Sequence, residues 1–252
     1  DPAKGRVWTS IAAGHDQPGF ENEFVSVADL DRRTMGKHPW SLQGGGAAGV
    51  QAVVEGAAAT RLHTVVASVG ITSFTLEDDV FIAPPSAFRT QSIDEAWTRE
   101  MVIGEQLRDW AGSRADRAVF PYDGDLLPLA ALPGPVLRWM WPFRANLSNN
   151  RMFGAMTKVE SGLAWYEFGR LTADKLRTPF SITFAFVATH NHFVLDRGGK
   201  VFNRSAPVIK LPPDAGEDAH LGLLGLLNAS VACFWMKQVC QGKHMADGGE
   251  AH

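Results

Sequence analysis

The sequence predicts an α/β protein: helices and short strands alternate, and the chain closes on an apolar helix. Three observations predict it. From Ser181 onward, apolar runs alternate with turn residues ("SITFAFVAT", "HFVL", "KVFN", "APVIKL"), which is the pattern of short strands. An alanine-rich stretch from about Ala47 to Ala58 has the composition of a helix. The last long run, "LGLLGLLNASVACFWMKQVC", is apolar almost all round, the mark of a buried C-terminal helix.

Three segments follow in order. Residues 1–37 mix polar, Gly and Pro residues without sustained periodicity and read as a lead-in, in which "FENEFVSV" alone has the look of a short strand. Residues 38–135 carry a glycine cluster, the helix over 47–58 and a strand near Thr64 to Ile71. "SFTLEDDVFIAP" then gives a loop with Glu77, Asp78 and Asp79 and a short strand stopped by Pro84-Pro85. Ser92 with Glu95 fits a capping box and places a helix over "IDEAWTREMVIGEQLRDWAG", weakened in its second half by Gly104. "RAVFPYDGD" reads as a strand entering a turn. Residues 136–252 form the basic, aromatic-rich segment with the late strands, the closing helix and a tail, "QGKHMADGGEAH", that reads as frayed.

With 252 residues, 45% hydrophobic and 20% charged, and a net charge of -3, the chain has the composition of an ordinary soluble protein. No run approaches the roughly 18 apolar residues of a membrane span, and no secretory signal opens the chain, so no membrane partner and a cytoplasmic location are expected. Asp1 in place of a methionine suggests a segment of something longer. Cys233 and Cys240 stand about 10 Å apart along one helix, which argues against a disulfide and for reduced core thiols. Charge is uneven: Arg138 to Lys210 holds 11 Lys+Arg against 4 Asp+Glu, a local excess of +7.

Most catalytic patterns fail on inspection. "QGGGAAGV" lacks the preceding buried strand and the following Lys-Ser/Thr of a phosphate loop. His190 and His192 at i, i+2 share a strand face and could meet one metal ion, but His15, His38, His63 and His220 offer no supporting spacing. Asp78 and Asp79 sit beside Glu77, as in a solvated loop. No "GxSxG" context nominates a serine nucleophile.

The basic and aromatic interleaving is the strongest feature. Arg144, Asn146, Asn149, Asn150 and Arg151 cluster in one stretch, and His190, Asn191, His192, Arg197, Lys200, Asn203 and Arg204 cluster around an expected hairpin turning through "DRGG". These residue types contact phosphates and base edges. The alternative is an internal strand whose histidines bond to neighbouring backbone.

Several phrases, in order, carry a resemblance: "HPWSLQGGGA", "GITSFTLEDDVFI", "IGEQLRDW", "AVFPYD", "WPFRANLSNNRMFG", "GLAWYEF", and "FVATHNHFVLDRGGKVFNRSAPVIKLP" with "LLGLLNASVACFWMKQV". Over about Trp8 to Lys243 the chain resembles adenine-specific DNA methyltransferases of the restriction-modification type. It is most similar to those of the BREX phage-defence group, the phage growth limitation X family. Ser73 stands where that family's phrase carries glycine.

The resemblance implies the target-recognition region that follows the methyltransferase domain: an α/β module with a twisted mixed sheet and a closing helix, gripping duplex DNA opposite the catalytic domain. In such a region side-chain chemistry and position nominate Arg144, Arg151, Lys175, Arg177, Arg197, Lys200 and Arg204 for phosphate contacts, and His190, Asn191, His192 and Asn203 for base-edge contacts through a hairpin or loop in the major groove. The parent would be a site-specific, S-adenosylmethionine-dependent adenine-N6 methyltransferase. Its implied partners are double-stranded DNA, its own catalytic domain and other phage-defence proteins. The chain itself is expected to hold no cofactor, no metal and no catalytic residue, since its two Pro-Pro pairs read "APPS" and "LPPD" where adenine methylation needs an Asn/Asp-Pro-Pro-aromatic tetrapeptide. A module that docks a partner of the defence complex without reading bases is the alternative.

Overall fold

The computed structural model describes residues 2–29, 31–36, 46–108, 110–112, 116–152 and 154–240. The glycines ahead of Gly46 and the tail from residue 241 lie outside the described residues. The chain forms two compact units, one of residues 1–61 with 229–251 and one of residues 62–228.

The first unit is helical. It opens with α1 (Arg6–Gly14) and continues to α2 (Ala47–Ala57), which begins at Gly46 in a left-handed conformation, φ 78°. "FENEFVSV" is a turn and not a strand. The Asn22 side chain accepts from the amides of Phe24 and Val25, both at 2.9 Å, and only an isolated bridge joins Glu21 to Ser26.

The second unit follows in order: α3 (Leu62–Val65), β1 (Ser68–Gly70), β2 (Ser73–Phe74), α4 (Asp78–Phe81), β3 (Ile82–Ala83), α5 (Pro85–Thr90), β4 (Thr98–Val102), β5 (Leu107–Arg108), β6 (Ala111–Gly112) and β7 (Arg117–Val119). Then come α6 (Gly134–Met140), α7 (Arg144–Asn149), β8 (Arg170–Leu171), α8 (Ala173–Arg177), β9 (Ser181–Phe184), β10 (Phe193–Asp196), β11 (Lys200–Phe202), β12 (Val208–Lys210) and α9 (Glu217–Leu227). Among the described residues these strands form an antiparallel sheet, β1-β12-β9-β10, a mixed sheet, β11-β4-β7-β3, and two two-stranded ribbons, β2-β8 and β5-β6. In the mixed sheet β11 runs parallel to β4 and the other pairs are antiparallel. This is an α/β fold, as its sequence pattern implies. The segments 38–135 and 136–252 are interleaved within it, because β1 pairs with β12 and β4 with β11.

The main core lies under the mixed sheet. Phe81, Phe120, Tyr122 and Phe168 meet through edge-on and tilted ring contacts, and Met101, Val119, Met140, Leu147 and Val201 fill around them. Buried Trp and Tyr polar atoms find partners: the Trp139 indole donates to the Val80 carbonyl at 2.9 Å, and the Tyr122 hydroxyl accepts from the Phe168 amide at 2.8 Å.

The strand expected near Thr64 to Ile71 is helical at its start and a strand only over Ser68–Gly70. Three further sequence readings change. The helix expected over "IDEAWTREMVIGEQLRDWAG" is instead a 3-10 turn (Glu95–Trp97), the strand β4, a second 3-10 turn (Gly104–Gln106) and β5. Ser92 has φ 57° and caps nothing, while Asp94 accepts from the Ala96 amide at 2.8 Å. Pairing of β4 between β7 and β11 overrides the helix propensity of its Glu, Met and Arg residues.

The expected hairpin through "DRGG" is absent, because β10 pairs with β9 while β11 belongs to the other sheet. Gly198 and Gly199, at φ 100° and 82°, steer the chain from one sheet to the other.

The closing helix is two helices, α9 and α10 (Ser230–Val239), separated at Asn228-Ala229, and it is not buried throughout: Leu226 is 70% exposed and Val231 55%. Cys233 is half-buried and Cys240 is exposed, so neither is a core thiol, and both are free. Within the first unit α10 packs on α2, where the Trp235 indole donates to Glu55 at 3.0 Å.

Candidate nucleic-acid interface

The strand β11 ends at Phe202, and the chain crosses to β12 through a turn closed by the Ala206 amide on the Asn203 carbonyl, 2.9 Å. Arg204 sits exposed at its tip. The turn is braced from behind, where the Gly104 amide donates to the Ser205 hydroxyl at 3.0 Å. A Cβ on Gly104 would lie 2.3 Å from the Ser205 carbonyl oxygen, so only glycine allows this approach.

The β2-β8 ribbon is latched to the same place. The hydroxyls of Thr72 and Ser73, both buried, donate to the Phe202 carbonyl at 3.0 and 2.6 Å. Ser73, which replaces the glycine of the resembled phrase, is therefore part of the latch. On the ribbon Phe74 lies opposite Arg170, which puts both side chains on one face. The Arg204 guanidinium stacks over the Phe74 ring at 5.1 Å, so Phe74 orients it.

Lys175, on α8, lies against the end of β1: its Nζ would lie 2.8 Å from a Cβ on Gly70, which has φ 149°. Burial and the nearby Arg170 guanidinium hold the Lys175 amine below the usual lysine range. Among the described residues no ion pair joins Arg170, Lys175 or Arg204 to a carboxylate. Two cations, Arg204 and Arg170, thus share the Phe74 face, with Lys175 near Arg170, and none of the three forms an ion pair among the described residues, an arrangement suited to an anion.

The other sequence candidates are dispersed. Arg177 pairs with Asp174 at 3.0 Å, Arg197 with Glu217 at 2.6 Å, and Lys200 with Glu100 at 3.1 Å. Asn203 is interior, 5% exposed, and its amide donates to Asp78 at 2.7 Å, so it is removed from the base-edge set. Arg144 stacks on Trp141 at 5.2 Å and Arg151 forms a bridge with Thr157, both away from the Phe74 patch in sequence and in bonding.

His190, Asn191 and His192 lie in the loop joining β9 to β10. His190 is exposed, with Nδ1 3.0 Å from the Thr189 hydroxyl. Asn191 is structural, donating to the Leu227 carbonyl at 2.6 Å, and His192 is half-buried. The base of the loop is closed by the Ala185 amide on the His192 carbonyl at 3.3 Å. Asn228 brackets Phe193, accepting from its amide at 3.1 Å and donating to its carbonyl at 2.9 Å. The Phe186 amide donates to the Ser205 carbonyl at 2.9 Å, which sets the loop beside the Arg204 turn.

Sequence reasoning missed Arg170, Phe74 and Phe186. Arg170 follows the quoted "GLAWYEF" by one glycine, but nothing local shows that it converges with Lys175 and Arg204; only the β2-β8 pairing does that. Two basic residues counted toward the local excess are interior. Lys158 donates to the Glu167 carbonyl at 2.8 Å, and Lys210 to the Phe180 carbonyl at 2.9 Å, each with its pKa pulled down to about 8 by burial.

No protein-family profile matches the chain. Over 239 residues it is 39% identical to the adenine-specific methyltransferase PglX of Streptomyces coelicolor, a match that covers 94% of this chain. This chain is homologous to a segment of PglX. It spans about one fifth of that relative's length. A solved structure of the Type IIL restriction-modification enzyme MmeI in complex with DNA aligns with 68% of this chain and 22% of its own, at 15% identity and a TM-score of 0.44, too slight a likeness to bear on fold or function.

Neither Pro-Pro pair of the PglX-like segment fits a site for a flipped adenine. Ala83 ends β3, paired with Arg117, and Pro85 opens α5. Pro212 starts a turn closed by the Ala215 amide. Neither pair is preceded by a side chain that could accept from an adenine amino group. Among the described residues no group of three or more His, Cys, Asp or Glu could hold a metal ion, and no single helix is long and apolar enough to cross a membrane.

Proposed function

We propose that this chain is the DNA target-recognition region of a phage-defence, adenine-N6-specific DNA methyltransferase. The 39% identity to PglX supports the parent enzyme. Arg204 and Arg170 on the Phe74 face, with Lys175 near Arg170 and none of the three in an ion pair among the described residues, support the DNA contact, and this patch carries the reading. In it the three cations bind phosphates and fix the register of the duplex. His190, at the exposed end of the neighbouring loop, is placed for a base edge. S-adenosylmethionine and the flipped adenine would be held by a catalytic domain outside this chain, the partner across the DNA, and the whole would work in the cytoplasm.

Salt-titrated binding of the full-length protein to duplex DNA tests this. Each phosphate contact contributes about 0.9 to the slope of log K against log salt. Replacing Arg170, Lys175 and Arg204 together by alanine is expected to lower the slope by about 2 to 3 and to leave the circular dichroism spectrum unchanged. A wild-type protein that binds duplex without salt dependence, or a triple variant with the wild-type slope, overturns the reading. The partner-docking module would then replace it.

A further inference from the structure

The loop joining β9 to β10 carries an apolar tip that packing does not explain. Phe186 is 68% exposed and Val187 39%, and Ala188, Thr189 and His190 are exposed too. Among the described residues no ring contact holds Phe186. Its backbone, by contrast, is fixed. The Phe184 amide donates to the Pro207 carbonyl at 3.1 Å, the Phe186 amide to the Ser205 carbonyl at 2.9 Å, and the loop base is closed at Ala185 and His192. An aromatic ring on a fixed backbone loses little entropy when it docks, because only two side-chain torsions remain to be ordered.

The neighbours of this ring narrow what it can meet. The carbonyl that holds Phe186 belongs to the residue after Arg204, and Arg204 leads through Phe74 to Arg170, which lies near Lys175. A ligand covering both features must offer apolar surface close to several negative charges. An anionic membrane also sets charges beside apolar matter, but the reading of this chain as a DNA-recognition region favours the duplex. An acidic peptide would offer charges, with aromatic groups only by chance. Stacked bases between phosphates offer both at regular spacing.

We propose that Phe186 is a wedge that presses into a base step of the bound duplex, beside the phosphates held by Arg170, Lys175 and Arg204. The proposal rests on the reading of this chain as a DNA-recognition region. Partial insertion of an apolar side chain unstacks a step and opens the duplex locally, and the cost falls where the step is already weakened.

The test uses the full-length protein and two mixed-sequence duplexes, one fully paired and one with a tandem mismatch at its centre. The wild type is expected to prefer the mismatched duplex by about tenfold, since a weakened step removes part of the unstacking cost. Phe186→Ala is expected to lose that preference and to keep both the salt slope and the melting temperature. Phe186→Trp, which retains a flat ring, is expected to keep the preference. Salt-dependent duplex binding with no mismatch preference in the wild type, or with the same preference in Phe186→Ala, overturns the wedge and leaves DNA recognition standing. Absence of salt-dependent duplex binding in the wild type overturns both.

Discussion

Lys158 and Lys210 show how little a residue's type says about its place. Both lie in the basic stretch, yet both are buried, their amines donating to backbone carbonyls. Each folded pKa is about 8, against 10.5 for the free side chain. Below about pH 8 the amine is charged in both states and the folded protein bears the desolvation cost. Between about pH 8 and pH 10.5 the unfolded chain holds protons that the folded chain has released, so stability from these groups rises with pH. Urea midpoints of the wild type are therefore expected to rise across this window relative to Lys158→Met and Lys210→Met, which lack the titration. A second residue-scale prediction concerns the latch. Ser73→Ala removes one of two donors to the Phe202 carbonyl and is expected to cost about 1 kcal/mol in chemical denaturation. It should also weaken duplex binding, because Phe74 and the guanidinium above it lose part of their support.

Elements were legible where the pattern is local. Short strands after Ser181 are written in β-branched and aromatic residues between turn signals, and four of them form at those places. The helix near 47–58 follows from alanine alone. What the sequence hides is pairing at long range. β4 carries helix-forming residues and becomes a strand only because β7 and β11 flank it, and β10 and β11 look like a hairpin but join different sheets. Gly104 has the same lesson. In the sequence it weakens a helix, and in the fold it lets one segment press on the Arg204 turn. Gly104→Ala would drive a methyl group into backbone that cannot rotate away. It is expected to lower stability by about 1 to 3 kcal/mol, read as a fall in melting temperature, and to weaken duplex binding.

At the scale of the molecule, the excess of +7 between Arg138 and Lys210 does not become one uniform face. Two of its lysines are interior, and Arg177, Arg197 and Lys200 face carboxylates. The candidate site was therefore legible as a basic region but not as a patch: Lys175 and Arg204 were named from sequence, and Arg170 enters only through the fold. Exposed ion pairs contribute about 0 to 1 kcal/mol, so Arg197→Ala and Lys200→Ala are expected to leave both folding and duplex affinity nearly unchanged. Arg170→Ala and Arg204→Ala should each reduce affinity several-fold in a duplex-binding assay at low salt. Finally, the loop beside Arg204 is clamped at its base by main-chain bonds and by Asn228, while its five outermost side chains hold up nothing beneath them. Mutation can sample those positions at almost no cost to solubility or yield, which makes the tip a natural graft site where new sequence preferences can arise while the scaffold stays constant.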